Sequence, residues 1–246
     1  MSTSRPHVLI VIPARWGSTR FPGKPLHPLA GKPLVQHVWE RCKQSRLADK
    51  VVIATDDHRI ADAARVFNAV AAITSPEHPS GTDRVAETAK SYPQHEIIIN
   101  VQGDEPLISP ALIDQLAEAL INDVTIPMAT AAAPIEDAAL LADSNVVKVA
   151  CSLRNDALYF SRSLIPHPRN DASVTPLRHL GIYAFRRAFL FDFVSWPPSP
   201  LEKTESLEQL RALENGARIR VLLTKENSPG VDTLQQAQAI EPLLTH

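Results

Sequence analysis

Three unbroken runs of aliphatic and β-branched residues stand at helix-sized intervals along the first part of the chain, VLIVI at 8–12, VVIA at 51–54 and IIINV at 97–101. A strand buried on both faces reads this way, because no alternate position has to meet water. The first run stops at Pro13, the second at Thr55-Asp56 and the third at Gln102-Gly103-Asp104. Between the runs, Leu34, Val35, Val38 and Trp39 form one helical stripe, and Ile60, Ala61, Ala64 and Val66 form another. Strand, helix and strand in repetition predict a parallel sheet with right-handed crossovers, whose ligand site lies beyond the C-terminal ends of the strands. Polar clusters follow each of the three runs at that edge.

The second half reads differently. Residues 146–151, 157–160 and 179–185 have strand character between Pro- and Asn-containing turns. A helix is expected over 205–213, a returning strand over 218–224 and a closing helix over 234–244. This pattern predicts an antiparallel insertion carried on the parallel sheet. With no repeat, charge block or linker, the economical reading is one α/β domain over 1–246 that includes a smaller β-rich lobe near 145–216.

Composition narrows the function classes. At 44% hydrophobic and 21% charged, the 246 residues can bury a sizeable core and are not disordered. A net charge of 25 − 27 = −2 gives no long-range attraction for phosphate backbones or anionic membranes, so no nucleic-acid partner is expected. The longest uncharged stretch, 124–135, is far short of the ~20 residues that span a bilayer, which excludes membrane insertion. The apolar run 8–12 is also shorter than a signal peptide requires, and Cys42 and Cys151 have neither metal nor disulfide spacing. Both cysteines are expected to be buried small hydrophobes in a reducing cytoplasm.

The polar clusters carry the candidate chemistry. Residues 13–26, PARWGSTRFPGKPL, interleave glycine and small hydroxyl residues with Arg15, Arg20 and Lys24, a combination that offers N–H groups and cations to a polyphosphate. The Walker A and dinucleotide glycine spacings are both missing. Ser80-Gly81-Thr82-Asp83-Arg84 opens a helix and reads equally as a simple cap. Asp104, directly after a buried strand and a glycine, stands where a Mg²⁺ bound to phosphate oxygens is commonly held, although a turn aspartate looks the same. A second carboxylate is available in Asp232, whose alternative reading is the N-cap of the last helix.

The strings PARWGSTRFPGKPL, ATDD, HPSGTDR, NVQGDEP, ALYFSR, RHLGIYAF, SPLE, LEQLR and GVDT occur in this order. Together they closely resemble the 3-deoxy-manno-octulosonate (Kdo) cytidylyltransferases, over nearly the whole chain. The first string is shared by many cytidylyltransferases, whereas NVQGDEP with HLGIY and LEQLR is highly specific.

The resemblance implies a mostly parallel α/β nucleotidyltransferase sheet, GT-A-like and Rossmann-related, with a smaller β-rich lobe that makes a homodimer contact and part of the sugar pocket. It implies that Arg15, Ser18, Thr19, Arg20 and Lys24 hold the triphosphate of CTP. Ser80, Gly81, Thr82 and Arg84 would line the cytosine and ribose region, and Gln102 would face both substrates. Asp104 and Asp232 would bind Mg²⁺. Arg162, His179, Tyr183, Glu208 and Gln209 would recognise the carboxylate and hydroxyls of Kdo. The implied reaction forms CMP-Kdo and pyrophosphate in the cytoplasm, for the lipopolysaccharide inner core, with Arg15, Lys24, Asp104 and Asp232 at the reacting groups. A sialic-acid enzyme is disfavoured by Thr19, Arg20 and Pro25, and the 8-amino-Kdo relatives by Glu105. Retention of Lys24, Asp104 and Asp232 argues against a non-catalytic nucleotide-binding domain, and Gln102-Gly103-Asp104 is not the Asp-x-Asp pair of a glycosyltransferase.

Overall fold

The structure is a computed structural model and describes residues 5–17, 21–169, 174–226 and 228–244. The three aliphatic runs form β1 (Val8–Pro13), β4 (Ala48–Thr55) and β6 (Ile97–Asn100). Between β1 and β4 lie a 3-10 turn (Lys24–Leu26), the hairpin of β2 (Pro28–Leu29) and β3 (Lys32–Pro33), and helix α1 (Leu34–Lys43). Helix α2 (His58–Val66), β5 (Val70–Ile73) and α3 (Gly81–Lys90) connect β4 to β6. Then come α4 (Pro110–Asn122), β7 (Met128–Pro134), the short α5 (Ala139–Ala142), β8 (Lys148–Cys151), β9 (Ala157–Ser161) and β10 (Leu177–Arg186). The chain closes with α6 (Arg187–Ser195), α7 (Pro200–Glu205), α8 (Leu210–Glu214), β11 (Ile219–Leu223) and α9 (Leu234–Ile240).

The central sheet runs β11-β7-β10-β6-β1-β4-β5. Strands β6, β1, β4 and β5 are parallel, the first three carrying the predicted aliphatic runs and β5 lying at the edge with Val70 and Ile73 exposed, and β11 is parallel to β7. Between these parallel groups β10 lies antiparallel to both β6 and β7. The expected antiparallel insertion is therefore continuous with the sheet, since β8 pairs with β10, and β9 with β8.

Alternation along β1 separates two layers. Val8, Ile10 and Ile12 pack with Val35 and Val38 of α1, Ile60 of α2 and Leu116 of α4. Leu9 and Val11 face the other side, with Val85 and Ala89 of α3 and Leu190 and Phe193 of α6. Cys42 is buried in the first layer, whereas Cys151 is only half-buried, because β8 lies toward the edge of the sheet.

The helix expected over 205–213 is broken. Ser206 takes a left-handed conformation with φ 53°, ending α7 and separating it from α8. Capping explains where α7 begins. Ser199 and Glu202 form a reciprocal box with Pro200 in the first turn, so the helix starts before the segment that the apolar spacing suggests.

Candidate active site

From β1 the chain moves outward through β4 and β5 and then returns to β6 on the other side of β1. This reversal opens a crevice between the loops that leave β1 and β6. The two loops approach so closely that a Cβ on Gly103 would stand 2.7 Å from the Pro13 carbonyl oxygen, which reserves the position for glycine. A cavity of about 400 Å³ lies above them, lined among others by Arg15, Lys24, Ser80, Gly81, Arg84, Gln102, Asp104 and Asp232. Residues from the 13–26 loop, the 80–84 segment, Gln102 to Asp104 and Asp232 thus meet in one space. Ser18, Thr19 and Arg20 lie outside the described residues.

Lys24 begins the 3-10 turn, preceded by Gly23 at φ 71°. Its ammonium donates to Asp104 Oδ2 at 2.6 Å and to Asp232 Oδ1 at 3.1 Å. Asp232 is brought there by its neighbour. Val231 is buried with Leu29, Leu34, Ala237 and Ile240, and its N–H donates to the Asp104 carbonyl at 2.8 Å. The helix cap is Thr233, which accepts from Gln236 N–H while the Gln236 side chain reaches back to Thr233 N–H. Asp232 is therefore released from the capping role that its sequence position also allowed.

The donor set fits Mg²⁺. Two carboxylates converge on one cation, here the Lys24 ammonium, and Mg²⁺ is usually held by one or two carboxylates plus substrate phosphates. Among the described residues no cluster of three or more Asp, Glu, His or Cys side chains is arranged for a metal. Phosphate oxygens of a substrate would have to complete the coordination.

Ser80 caps α3, accepting from Asp83 N–H, so the capping reading of this cluster is correct as far as it goes. The same segment also engages the second half of the chain. Glu208 lies 2.7 Å from Ser80 Oγ and 2.6 Å from Thr82 Oγ1, and burial raises its carboxyl above the ordinary range. Arg84, almost fully buried, donates to Asp56 at 3.1 Å and to Thr74. His78 also borders the cavity and pairs with Glu87. Asp56 and Glu87 hold cavity residues without having been singled out as functional. Asp56 was marked in the sequence by its place directly after a buried strand and by the ATDD string, neither of which assigned it a role.

A second group forms along β10. Tyr183 stands opposite Asn100 of β6, and the His179 and Tyr183 rings are 5.4 Å apart. Gln102 Nε2 lies 3.4 Å from the Gly181 carbonyl, between those two residues. Glu208 and Glu105 both act electrostatically on Tyr183, whose hydroxyl is pushed well up, chiefly by burial. Burial also lowers the His179 imidazole to about 3, and it raises the Glu105 carboxyl to about 8, with Asp104 adding to the rise. Tyr183, His179, Gln102 and Glu208 thus stand beside the cluster that lines the cavity.

Arg162 and Gln209 do not line the cavity itself. The Arg162 guanidinium donates to three backbone carbonyls, those of Glu205 at 2.7 Å, Ser144 at 2.9 Å and Ser206 at 3.3 Å. Gln209 is buried, and its Nε2 has no partner among the described residues. Thr130 of β7, unmarked in the sequence, hydrogen-bonds His179 Nε2 at 2.9 Å. Nothing in the Ala-rich stretch around it signals a site residue.

The cytidylyltransferase family pattern matches residues 9–219. A 3-deoxy-manno-octulosonate cytidylyltransferase of Pseudomonas syringae pv. tomato is 51% identical over 247 residues, covering 96% of this chain and 97% of that protein. One from Geobacter sulfurreducens is 49% identical, covering 92% and 95%. Among solved structures, a CMP:2-keto-3-deoxy-manno-octonic acid synthetase complexed with CTP matches with a TM-score of 0.93 at 44% identity, over 97% of this chain and 98% of that one. A 4-diphosphocytidyl-2C-methyl-D-erythritol synthase from Anaerococcus prevotii, 14% identical with a TM-score of 0.67 over 98% and 97%, shares the fold.

Proposed function

This chain belongs to the family of 3-deoxy-manno-octulosonate cytidylyltransferases, and from that membership we propose that it joins CTP and Kdo into CMP-Kdo and pyrophosphate, a precursor for the lipopolysaccharide inner core. The observation that carries the reading is the meeting of Lys24, Asp104 and Asp232 in a cavity that also contains Arg15 and the N-terminus of α3. Fixed cations and helix-terminal N–H groups on one side suit a triphosphate. Converging carboxylates on the other suit a divalent cation.

In the proposed reaction the anomeric 2-hydroxyl oxygen of Kdo bonds to the α-phosphorus of CTP. The bond from that phosphorus to the bridging oxygen breaks on the opposite face, pyrophosphate leaves with its electron pair, and the hydroxyl proton passes to solvent water. Arg15, Lys24 and Arg20 would stabilise the negative charge that accumulates on the departing phosphates. Asp104 and Asp232 would hold Mg²⁺, which when bound supplies the Lewis-acid charge that lowers the pKa of the attacking hydroxyl. Ser80, Gly81, Thr82 and Arg84 would face the nucleoside, and Gln102 the junction of the two substrates. On the acceptor side, His179, Tyr183 and Glu208 offer polar groups beside Gln102, and Arg162 and Gln209 would complete the sugar contacts from the lobe.

The reading includes a cytoplasmic homodimer joined through the lobe near 145–216. Among the described residues no helix is long and apolar enough to cross a membrane.

The test is pyrophosphate release from a panel of nucleoside triphosphates and acid sugars, with and without Mg²⁺. CTP with Kdo and Mg²⁺ should be turned over fastest, and a sialic acid should be inert. Preference for another triphosphate, or no response to any ulosonic acid, overturns the proposal.

A further inference from the structure

Thr130 is fully buried on β7, opposite an irregularity in β10 where the pairing register shifts between Leu180 and Tyr183. The shift turns two backbone carbonyls toward one side chain. Thr130 Oγ1 lies 2.8 Å from the Ile182 oxygen and 3.2 Å from the Leu180 oxygen, and 2.9 Å from His179 Nε2. A threonine hydroxyl has one hydrogen and two lone pairs, and a carbonyl oxygen can only accept. At 2.8 Å the hydroxyl hydrogen has to lie toward the Ile182 oxygen, since otherwise two oxygen lone pairs would face one another. What Oγ1 then presents to His179 is a lone pair, and the only favourable partner for it is an Nε2–H.

The consequence falls on the other ring nitrogen. The His179 ring packs edge-on against Phe160 at 5.1 Å and beside Tyr183 at 5.4 Å, surroundings that favour a neutral imidazole. A neutral ring carrying its hydrogen on Nε2 has an acceptor at Nδ1. Nδ1 makes no hydrogen bond to the protein among the described residues.

We propose that Thr130 is a positioning residue for acceptor recognition: by occupying the Nε2–H of His179 it leaves Nδ1 as a hydrogen-bond acceptor that selects a hydroxyl of the acid sugar rather than its carboxylate. The inference rests on the placement of the sugar at His179 in the proposed function. It adds the sense of the contact and a residue that acts one step behind it. Thr130 touches neither substrate and works only through the imidazole.

The experiment combines nitrogen NMR of histidine-labelled, ligand-free full-length protein with steady-state kinetics of Thr130→Val and Thr130→Ser. In the wild-type protein at neutral pH, His179 should show a protonated Nε2 and an unprotonated Nδ1. Thr130→Val, which keeps the shape and removes the hydroxyl, should lose that preference and raise the KM for the acid sugar roughly tenfold, as expected for one buried hydrogen bond. The KM for CTP should stay within about twofold, and Thr130→Ser should restore both readouts. An Nδ1–H tautomer in the wild-type protein overturns the assignment even if the valine variant does not fold. An unchanged sugar KM in a folded Thr130→Val protein, or failure of serine to rescue, overturns it too. The tautomer is read without substrate, so absence of Kdo turnover by the wild-type protein would count against the proposed function and leave the Thr130 to His179 contact separately decided.

Discussion

Lys24 and Asp232 are separated by 208 residues of chain, yet the lysine Nζ donates to the aspartate Oδ1 at 3.1 Å and simultaneously to Asp104 Oδ2 at 2.6 Å. One ammonium therefore ties together the loop after β1, the loop after β6 and the segment before α9. It also offsets part of the charge of two carboxylates that would otherwise face each other in a partly enclosed space, where their repulsion is less screened than in bulk water.

Asp104→Asn and Asp232→Asn should each lower turnover by roughly 10³-fold or more, and the double variant should be little worse than either, because the two carboxylates act on one cation. Lys24→Ala should lose roughly 10²-fold. Pyrophosphate release at saturating substrates measures all four. Thr233 is the cap of α9, so Asp232→Asn should leave thermal stability nearly unchanged, which separates the chemical role from a structural one.

Gly103→Ala places a methyl group 2.7 Å from the Pro13 carbonyl oxygen and must push the β1 and β6 loops apart. The expected cost is about 1–3 kcal/mol in urea unfolding, with lower turnover, since the same two loops shape the cavity. Gly17→Ala is the control. A Cβ there meets nothing within 4 Å, and stability should change by less than about 0.5 kcal/mol.

Arg162→Ala removes the donors of three backbone carbonyls around Ser206 and should destabilise the protein by about 1–3 kcal/mol before any effect on the sugar is counted. Lysine should not rescue it, because an ammonium cannot span three separated acceptors as a guanidinium does. Gln209→Leu should behave in the opposite way. Its buried Nε2 has no partner among the described residues, so ligand-free stability should be retained or raised while the KM for the sugar increases. Thermal melts paired with sugar kinetics distinguish the two patterns.

His179 gives a pH dependence with a definite sign. Burial lowers its imidazole to about 3, below the ordinary value near 6.5, so the unfolded chain takes up the proton first as pH falls. The stability associated with a neutral His179 is fully present above about pH 6.5 and is lost progressively toward pH 3. His179→Gln, which cannot titrate, should therefore lose less stability than the wild-type protein between pH 7 and pH 4 in denaturant titrations. Equal losses would show that His179 is not kept neutral by the fold.

Residues 128–134, MATAAAP, show how far local pattern reaches. Alanine has little strand preference, and the stretch becomes β7 because β10 and β11 pair with its two edges. Residues 205–213 show the converse. Their spacing fits a helix, but Ser206 turns left-handed, so α7 and α8 separate and the Glu208 carboxylate meets Ser80 and Thr82.

The sequence by itself determined three of the four parallel strands of one half of the sheet and the edge at which the polar clusters gather. Continuous apolar runs have no polar face to expose, and chemistry-bearing residues after such strands are carried to the same rim. The motif strings also identified the family, and with it the candidate site residues. Tertiary structure alone decided which polar atoms meet. It placed β10 antiparallel between β6 and β7, directed two carbonyls at Thr130, moved the cap of the last helix to Thr233 and left Asp232 for Lys24. The physical reason is range. Hydrophobic periodicity and capping act over a few residues and are written locally, whereas a hydrogen bond across 208 residues exists only after the buried layers have fixed the distance between its partners.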